Sequence, residues 1–109
     1  MIDLYTWPTP NGRKISILLE ELKIPYKVHL IDINNNEQFN NNFSKISPSN
    51  KIPAIVDQKN GESIFETGAI MLYLSNKNNK FCSNKYYWEI MQWFFYQISQ
   101  VGPFLGQAH

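Results

Sequence analysis

Cysteine is nearly absent from this sequence, since Cys82 is the only one in 109 residues. A single cysteine excludes an internal disulfide bond and a zinc site built on several cysteines. The chain has no CxxC pair, and the basic residues nearest to this thiol are Lys80 and Lys85. Because reactive thiols need an electropositive setting, we expect Cys82 to be inert. Such sparing use of cysteine fits the reducing cytoplasm.

Long apolar runs and an excess of one charge are also missing. No segment approaches the roughly 20 apolar residues that cross a membrane, and the N-terminus has no basic segment followed by an apolar stretch. Ten basic and nine acidic residues give a net charge of +1, without a basic stripe. The two histidines, His29 and His109, lack metal-ligand spacing. We therefore predict no nucleic-acid partner, no membrane contact and no metal site.

The best-defined pattern lies between residues 47 and 70. Two short β-prone runs, Ala54–Val56 and Ser63–Phe65, flank a turn that ends in Asn60-Gly61, the strongest short-range signal for a β-hairpin. Thr67 follows the second run and is predicted to cap a helix. That helix is indicated by apolar residues at helical spacing: Ala69, Ile70, Tyr73 and Leu74. A helix N-terminus directly after a strand favours an anion site.

Pro53 precedes the first of these strands. Proline cannot donate a hydrogen bond to a β-ladder, so it is confined to the start of a strand, and we predict that the Ile52–Pro53 bond is cis. The N–H and C=O groups of Ile52 would then face outward. Together they would form a short strand edge that can pair with the backbone of an extended peptide.

The N-terminal half predicts a strand, a helix and a second strand. Residues 2–5 are β-prone, Pro8 and Pro10 leave residues 7–12 as a loop, and Asn11 is a plausible N-cap. The helix is indicated by the apolar stripe Ile15, Leu18, Leu19 and Leu22, and it ends before Pro25. Residues 26–31 predict a strand that is half or more buried. A right-handed crossover would make the two strands parallel neighbours.

These elements together give an α/β fold, βαβ followed by ββα, which is a thioredoxin-like arrangement. The polar run of residues 34–42 predicts a surface loop, and Phe43 and Ile46 predict a short helical turn after it. Residues 86–101 are apolar on nearly every face of a helix, so this last helix must be covered on more than one side.

The order Ile-Pro, strand, turn, strand, Glu-Thr, helix resembles the glutathione-binding half of the glutathione S-transferases. Thr9-Pro10-Asn11-Gly12 and the segment 102–107 make the resemblance closest to the bacterial Nu-class, or disulfide-bond-oxidoreductase, type. The resemblance implies a thioredoxin-like domain over residues 1–80. Residues 81–109 would be a linker and the first helix of an all-helical C-terminal domain, which is truncated here. It also implies a cytoplasmic homodimer for the full-length protein.

The resemblance also implies a role for individual residues toward reduced or oxidised glutathione. Ile52, before the cis Pro53, would pair with the cysteinyl unit, and Thr9 and Asn11 would stabilise the thiolate. The two ends of the tripeptide would be bound by four further residues: Glu66 and Thr67 at the γ-glutamyl end, Gln38 and Lys51 at the glycyl end. From the residues alone, Asn11 could be only a helix cap, Glu66 only a first-turn acid and Gln38 only a solvated loop residue.

The implied activity is glutathione-dependent reduction of a small disulfide substrate. With no protein dithiol in the sequence, the exchange would use the thiols of glutathione itself. Conjugation of glutathione to electrophiles, or a non-catalytic binding or regulatory role on the same scaffold, remains an alternative, because a fold does not fix a function. Tyr5, inside the first strand, is expected to be structural.

Overall fold

The computed structural model describes residues 1–78 and 85–101. Four strands and four helices follow one another in these ranges. The strands are β1 (Ile2–Thr6), β2 (Tyr26–Leu30), β3 (Ala54–Asp57) and β4 (Glu62–Phe65). The helices are α1 (Pro10–Glu21), α2 (Asn41–Ile46), α3 (Thr67–Asn78) and α4 (Tyr87–Tyr96). Two 3-10 turns, Ile33–Asn35 and Glu37–Phe39, precede α2, and a π-helical turn, Gln97–Val101, follows α4.

The strands form one mixed sheet in the order β2-β1-β3-β4. Strands β1 and β2 are parallel, as predicted for a pair joined by a helix, and β3 runs antiparallel to both β1 and β4. This βαβ-ββα arrangement confirms the predicted thioredoxin-like fold. The Asn60-Gly61 hairpin is also confirmed, with Gly61 at φ +75 in the turn, a conformation that suits glycine.

Helix α1 begins two residues earlier than the sequence predicted. Thr9, not Asn11, is the N-cap, and Pro10 is the first helical residue. Proline is favoured there because its fixed φ suits a helix and its missing N–H is not needed in the first turn. Pro10 therefore starts the helix, although its sequence context predicted a loop.

Strand β2 is more exposed than predicted. It lies at the edge of the sheet, and Val28 and Leu30 are 46% and 63% exposed. The prediction that this strand is half or more buried is wrong. Alternating apolar residues indicate a strand and its two faces, but they do not tell how much of either face another element covers.

The core lies between the sheet, α1 and α3. It consists of eight buried residues: Ile2, Leu4, Ile15, Leu19, Leu22, Ile55, Ile70 and Leu74. Phe43, on α2, is buried as predicted for the short helical turn and lies 6.1 Å from the ring of Tyr5, centroid to centroid. Asp57, at the end of β3, is 1% exposed and accepts a hydrogen bond from the Tyr73 hydroxyl at 2.6 Å. This bond ties the hairpin to α3.

The chain divides into two compact units, Met1–Leu74 and a second that begins at Ser75. The predicted last helix is α4. Its side chains are mainly exposed, including Trp88 at 75% and Trp93 at 67%, whereas Met91 is buried. In the described ranges, none of the helices has both the length and the apolar character of a membrane-spanning segment. Cys82 and the segment 102–109, which carries His109, lie outside the described residues.

Candidate functional site

The predicted site residues come from one end of the sheet. Tyr5 near the end of β1 pairs with Ala54 at the start of β3, and Ala54 pairs with Phe65 at the end of β4. The segments around Thr9, Ile52 and Glu66 each lie within four residues of this row. Leu30, opposite Thr6 at the end of β2, leads into the turn that carries Gln38. The register thus brings the segments around Thr9, Ile52 and Glu66 to the same end of the sheet.

The N-terminus of α1 retains one main-chain donor. Thr9 N–H donates to the carbonyl of Trp7 at 2.7 Å, Pro10 has no N–H, and Gly12 N–H donates to Oγ1 of Thr9 at 3.1 Å. Arg13 N–H makes the first intrahelical bond, to the carbonyl of Thr9. Of the helix-start donors, which lack intrahelical acceptors, only the N–H of Asn11 has no partner among the described residues. The N–H of Gly12 is not available to a thiolate, because it donates to Oγ1 of Thr9.

The hydroxyl of Thr9 still has a proton to donate. A threonine hydroxyl can accept two hydrogen bonds and donate one, and here its oxygen accepts from Gly12. Asn11 is exposed, and its Oδ1 accepts a hydrogen bond from Nζ of Lys14 at 3.2 Å. A hydroxyl proton, a free N–H, a lysine ammonium and the positive end of the helix dipole are therefore close together. Such a setting favours an anion, and a thiolate in particular.

Gly12 allows the loop to pack closely on the start of α1. A Cβ at this position would lie 2.4 Å from Oγ1 of Thr6 and 2.5 Å from the main-chain oxygen of Trp7. Real Cβ atoms do not approach so closely, and Gly12 is buried. The cap geometry at Thr9 therefore depends on glycine three residues later.

The Ile52–Pro53 bond is cis, which confirms the prediction. The ladder of β3 begins at Ala54, so Ile52 lies outside it. Neither the N–H nor the C=O of Ile52 makes a hydrogen bond to another described residue. Lys51, next to it, is exposed. This leaves one unpaired donor and one unpaired acceptor on the same residue, which suits pairing with a peptide backbone.

The start of α3 differs by one residue from the prediction. Thr67 is the first helical residue rather than the cap, because the carbonyl of Glu66 accepts the hydrogen bond from Ile70 N–H at 3.0 Å. The side chain of Glu66 is exposed, and its backbone has φ +77. A non-glycine residue rarely adopts this left-handed conformation, and such strain concentrates at functional sites. The N–H groups of the first turn have no acceptor within the helix.

Gln38 lies in the second 3-10 turn and is partly buried. Its Oε1 atom is buried and has no hydrogen-bond partner among the described residues. Buried amide oxygens are seldom unpaired in native proteins. The sequence indicated Gln38 only through its place in the loop, so this observation is the first physical sign that it differs from a solvated loop residue.

Asp3, Gln58 and His29 form another polar cluster, which the sequence pattern did not indicate. The carboxylate of Asp3 accepts hydrogen bonds from Nε2 of Gln58 at 2.9 Å and lies 3.0 Å from Nε2 of His29. The hydrogen bond from Gln58 lowers the pKa of Asp3 most, and the one with His29 lowers it further.

Tyr5 stacks on the His29 ring at 4.6 Å, so it is engaged within the sheet, and its partial burial raises its pKa. No group of three or more His, Cys, Asp or Glu residues in the described ranges could bind a metal ion.

Comparison with known proteins identifies the scaffold. Residues 1–76 match the family model for the glutathione S-transferase N-terminal domain. The chain belongs to the glutathione S-transferase family. Among curated relatives of this transferase domain, the disulfide-bond oxidoreductase YfcG of Escherichia coli is 47% identical over 116 residues, which cover all of this chain and 54% of YfcG. The disulfide-bond oxidoreductase YghU of the same organism is 37% identical, with 96% of this chain and 40% of YghU covered.

Solved structures of the family agree with the fold. A glutathione transferase family member from Pseudomonas fluorescens, crystallised with two glutathione molecules, is 39% identical with a TM-score of 0.90, covering 97% of this chain and 49% of that one. A glutathione transferase from Pseudomonas putida, crystallised with glutathione disulfide, is 38% identical, with the same TM-score and the same coverage. The chain therefore spans about half the length of these relatives.

Proposed function

We propose that the first unit binds glutathione, reduced or oxidised, at the end of the sheet described above. The observation that carries the proposal is the convergence of three kinds of site at that end: the N-terminus of α1, the unpaired main chain of Ile52 and the N-terminus of α3. Glutathione is an extended tripeptide with a central thiol and charged ends. Its parts require a thiolate site, a backbone pair and an anion site, and the groups at this end of the sheet would supply all three.

The γ-glutamyl end would bind at the start of α3. Its carboxylate would accept hydrogen bonds from the first-turn N–H groups and from the hydroxyl of Thr67, with support from the helix dipole. The exposed carboxylate of Glu66 would pair with the ammonium group. The positive φ of Glu66 sets the direction in which its side chain leaves the backbone. Pairing with the ammonium group would therefore explain why a strained conformation is kept here.

The middle and the glycyl end would bind along residues 51–53. Ile52, before Pro53, would exchange two hydrogen bonds with the cysteinyl unit, as paired residues do in an antiparallel ladder. Lys51 would bind the glycyl carboxylate through its ammonium group. Gln38 would donate a hydrogen bond from its amide nitrogen to the glycyl end, because its amide oxygen is buried.

The thiol would lie at the start of α1. The hydroxyl of Thr9 and the N–H of Asn11 would donate to the sulfur, and the helix dipole would favour the charged form. A free thiol has a pKa near 8.5, so these donors would raise the fraction of thiolate at neutral pH. We therefore propose Thr9 and Asn11 as the catalytic residues.

The reaction proposed is the reduction of a disulfide by two glutathione molecules. The bound thiolate attacks one sulfur of the substrate disulfide, the substrate S–S bond breaks, and the other sulfur leaves as a thiolate that solvent protonates. A second glutathione thiolate then attacks the glutathione sulfur of the mixed disulfide. Glutathione disulfide forms and the remaining substrate thiol is released. The oxidoreductase names of two relatives, and a family structure that contains two glutathione molecules, support this reaction over conjugation.

We further propose a cytoplasmic homodimer for the full-length protein. Residues 1–80 would be the glutathione-binding domain, and 81–109 the linker and the start of an all-helical domain. The exposed aromatic side chains of α4 support an interface on this helix, because large exposed apolar patches mark interaction sites.

Replacing Thr9 in the full-length protein tests the mechanism. Thr9→Val removes the donor to the thiolate and also the oxygen that accepts from Gly12 N–H, whereas Thr9→Ser keeps both groups and serves as the matched control. A hydrogen bond to a charged group contributes about 1.5–3 kcal/mol, so disulfide reductase turnover should fall roughly 10- to 150-fold in Thr9→Val, with glutathione affinity within a few-fold of wild type. In Thr9→Val, the ultraviolet absorbance of the bound thiolate should titrate at a higher pH than in the wild-type protein.

Asn11→Ala keeps the main-chain N–H and removes only the side-chain amide. If turnover stays at the wild-type level in this variant, the donor is the main-chain N–H of Asn11. If turnover falls, the donor is its side-chain amide. Equal turnover in wild type and Thr9→Val would contradict the mechanism. Glutathione binding without turnover in any variant would instead favour a binding or regulatory protein, a role that the 32%-identical structure of Ure2p in complex with glutathione keeps as the second candidate.

A further inference from the structure

Ser47 is a polar residue with no exposed surface, although it lies only five residues before Ile52. Its hydroxyl donates a hydrogen bond to the carbonyl oxygen of Lys51 at 2.8 Å. Its own N–H donates to the carbonyl of Phe43 at 2.8 Å, and its carbonyl accepts from Asn50 N–H at 2.9 Å. Ser47 therefore joins the end of α2 to the segment that enters the proposed glutathione site.

The Lys51 carbonyl and the Ile52 N–H belong to the same peptide group. This group is planar, and in the common trans form its C=O and N–H point in opposite directions. A hydrogen bond that fixes the carbonyl therefore also fixes the direction of the N–H on the other side. The Ile52 N–H has no partner among the described residues, so Ser47 is the hydrogen-bonding contact at the far end of this group.

We propose that Ser47 is a positioning residue that orients the Ile52 N–H toward the cysteinyl carbonyl of glutathione. This proposal rests on the proposed function, since it concerns the same site. Ser47 touches no ligand, because it is fully buried. Donation to the Lys51 carbonyl also polarises the shared amide, which makes its N–H a better donor.

The turn around Ser47 is fixed from a second direction. Asn50 has φ +57 and accepts a hydrogen bond from the hydroxyl of Ser44 at 2.6 Å. Phe43, which accepts the N–H of Ser47, is buried within ring contact of Tyr5 on β1. The hydroxyl of Ser47 is thus held relative to the sheet, and it can position the peptide group rather than follow it.

The test compares two ligands in the full-length protein. Glutathione has the cysteinyl carbonyl, whereas γ-glutamylcysteamine lacks that carbonyl and the glycine but keeps the γ-glutamyl group and the thiol. In Ser47→Ala the Kd of glutathione should rise roughly 2- to 13-fold, the range of one net hydrogen bond, while the Kd of γ-glutamylcysteamine stays unchanged. Calorimetric titration measures both. Ser63→Ala, a truncation of an exposed serine on β4, should alter neither.

Equal weakening of both ligands would show a merely structural role and overturn the proposal, as would no change for either. If Ser47→Ala does not fold, Ser47→Cys replaces it, because a thiol is a weak donor of similar size, and the same comparison applies. Wild-type protein that binds neither ligand would overturn the proposed function itself. If the wild-type protein binds both ligands and the ratio of their two Kd values is the same in the Ser47 variant, only the role of Ser47 would be overturned.

Discussion

Gly12→Ala should destabilise the domain, although alanine is the better helix former. The substitution lies in the first turn of α1, where alanine would contribute about 1 kcal/mol from helix propensity alone. The new methyl group, however, would lie 2.4 Å from Oγ1 of Thr6 and 2.5 Å from the main-chain oxygen of Trp7. The main-chain oxygen cannot rotate away, so the loop or the helix start must shift.

The magnitude follows from these opposing contributions. Overpacking typically costs about 1–3 kcal/mol, and displacement of Gly12 N–H from Oγ1 of Thr9 removes a cap of about 1 kcal/mol. After subtraction of the propensity gain, we expect a net loss of about 1–3 kcal/mol in the free energy of unfolding. Reductase turnover should fall as well, because the Thr9 hydroxyl and the Asn11 N–H both move with the helix start.

Urea unfolding measures the stability, and Ser16→Ala is the matched control in the same helix. Ser16 donates its hydroxyl to the carbonyl of Gly12 at 3.3 Å, a bond that stabilises a helix little. Its replacement gains alanine propensity without a collision, and it should be neutral or slightly stabilising. A Gly12→Ala protein as stable as Ser16→Ala, with unchanged turnover, would refute the close packing of the loop on α1.

Three further outcomes are expected. Tyr73→Phe leaves the buried Asp57 carboxylate without the hydroxyl donor at 2.6 Å, so the free energy of unfolding should drop by about 1.5–3 kcal/mol; a drop below half of that would mean that another donor replaces it. The folded-state pKa of Asp3 is lowered, so its contribution to stability is present above the unfolded pKa of about 3.9 and is lost as the pH falls through the folded value. Urea titrations from neutral to acid pH should show a shallower loss in Gln58→Ala, and equal slopes would contradict this. The isolated 109-residue chain should self-associate in sedimentation because α4 leaves large aromatic side chains exposed; a soluble monomer with full activity would show that this surface needs no cover.

Local chemistry accounts for what the sequence predicted well. Asn60-Gly61 permits few structures other than a hairpin turn, and Pro53 can stand only where no ladder donor is needed. The spacing of Ile15, Leu19 and Leu22 indicated the buried face of α1 before any tertiary contact was known.

Features that depend on alternatives of nearly equal energy were missed. Pro10 suits both a loop and the first turn of a helix, so the choice between Thr9 and Asn11 as the cap could not be made from sequence. The exposure of Val28 depends on what lies over an edge strand, which periodicity does not record. The hydrogen bond from Ser47 to the Lys51 carbonyl spans a segment with a left-handed residue at Asn50, and a serine in a polar loop gives no sign of burial.

The register that aligns Tyr5, Ala54 and Phe65 makes the proposed ligand a probe of cooperative folding. The pairing of β1 with β3 joins residues about fifty positions apart in the chain, so distant segments must meet before it forms. The three parts of the proposed site therefore come together only when the sheet has formed. A ligand that binds only the folded state raises stability in proportion to the logarithm of its concentration. Glutathione should thus shift the unfolding of the entire sheet, rather than of one loop, in hydrogen exchange.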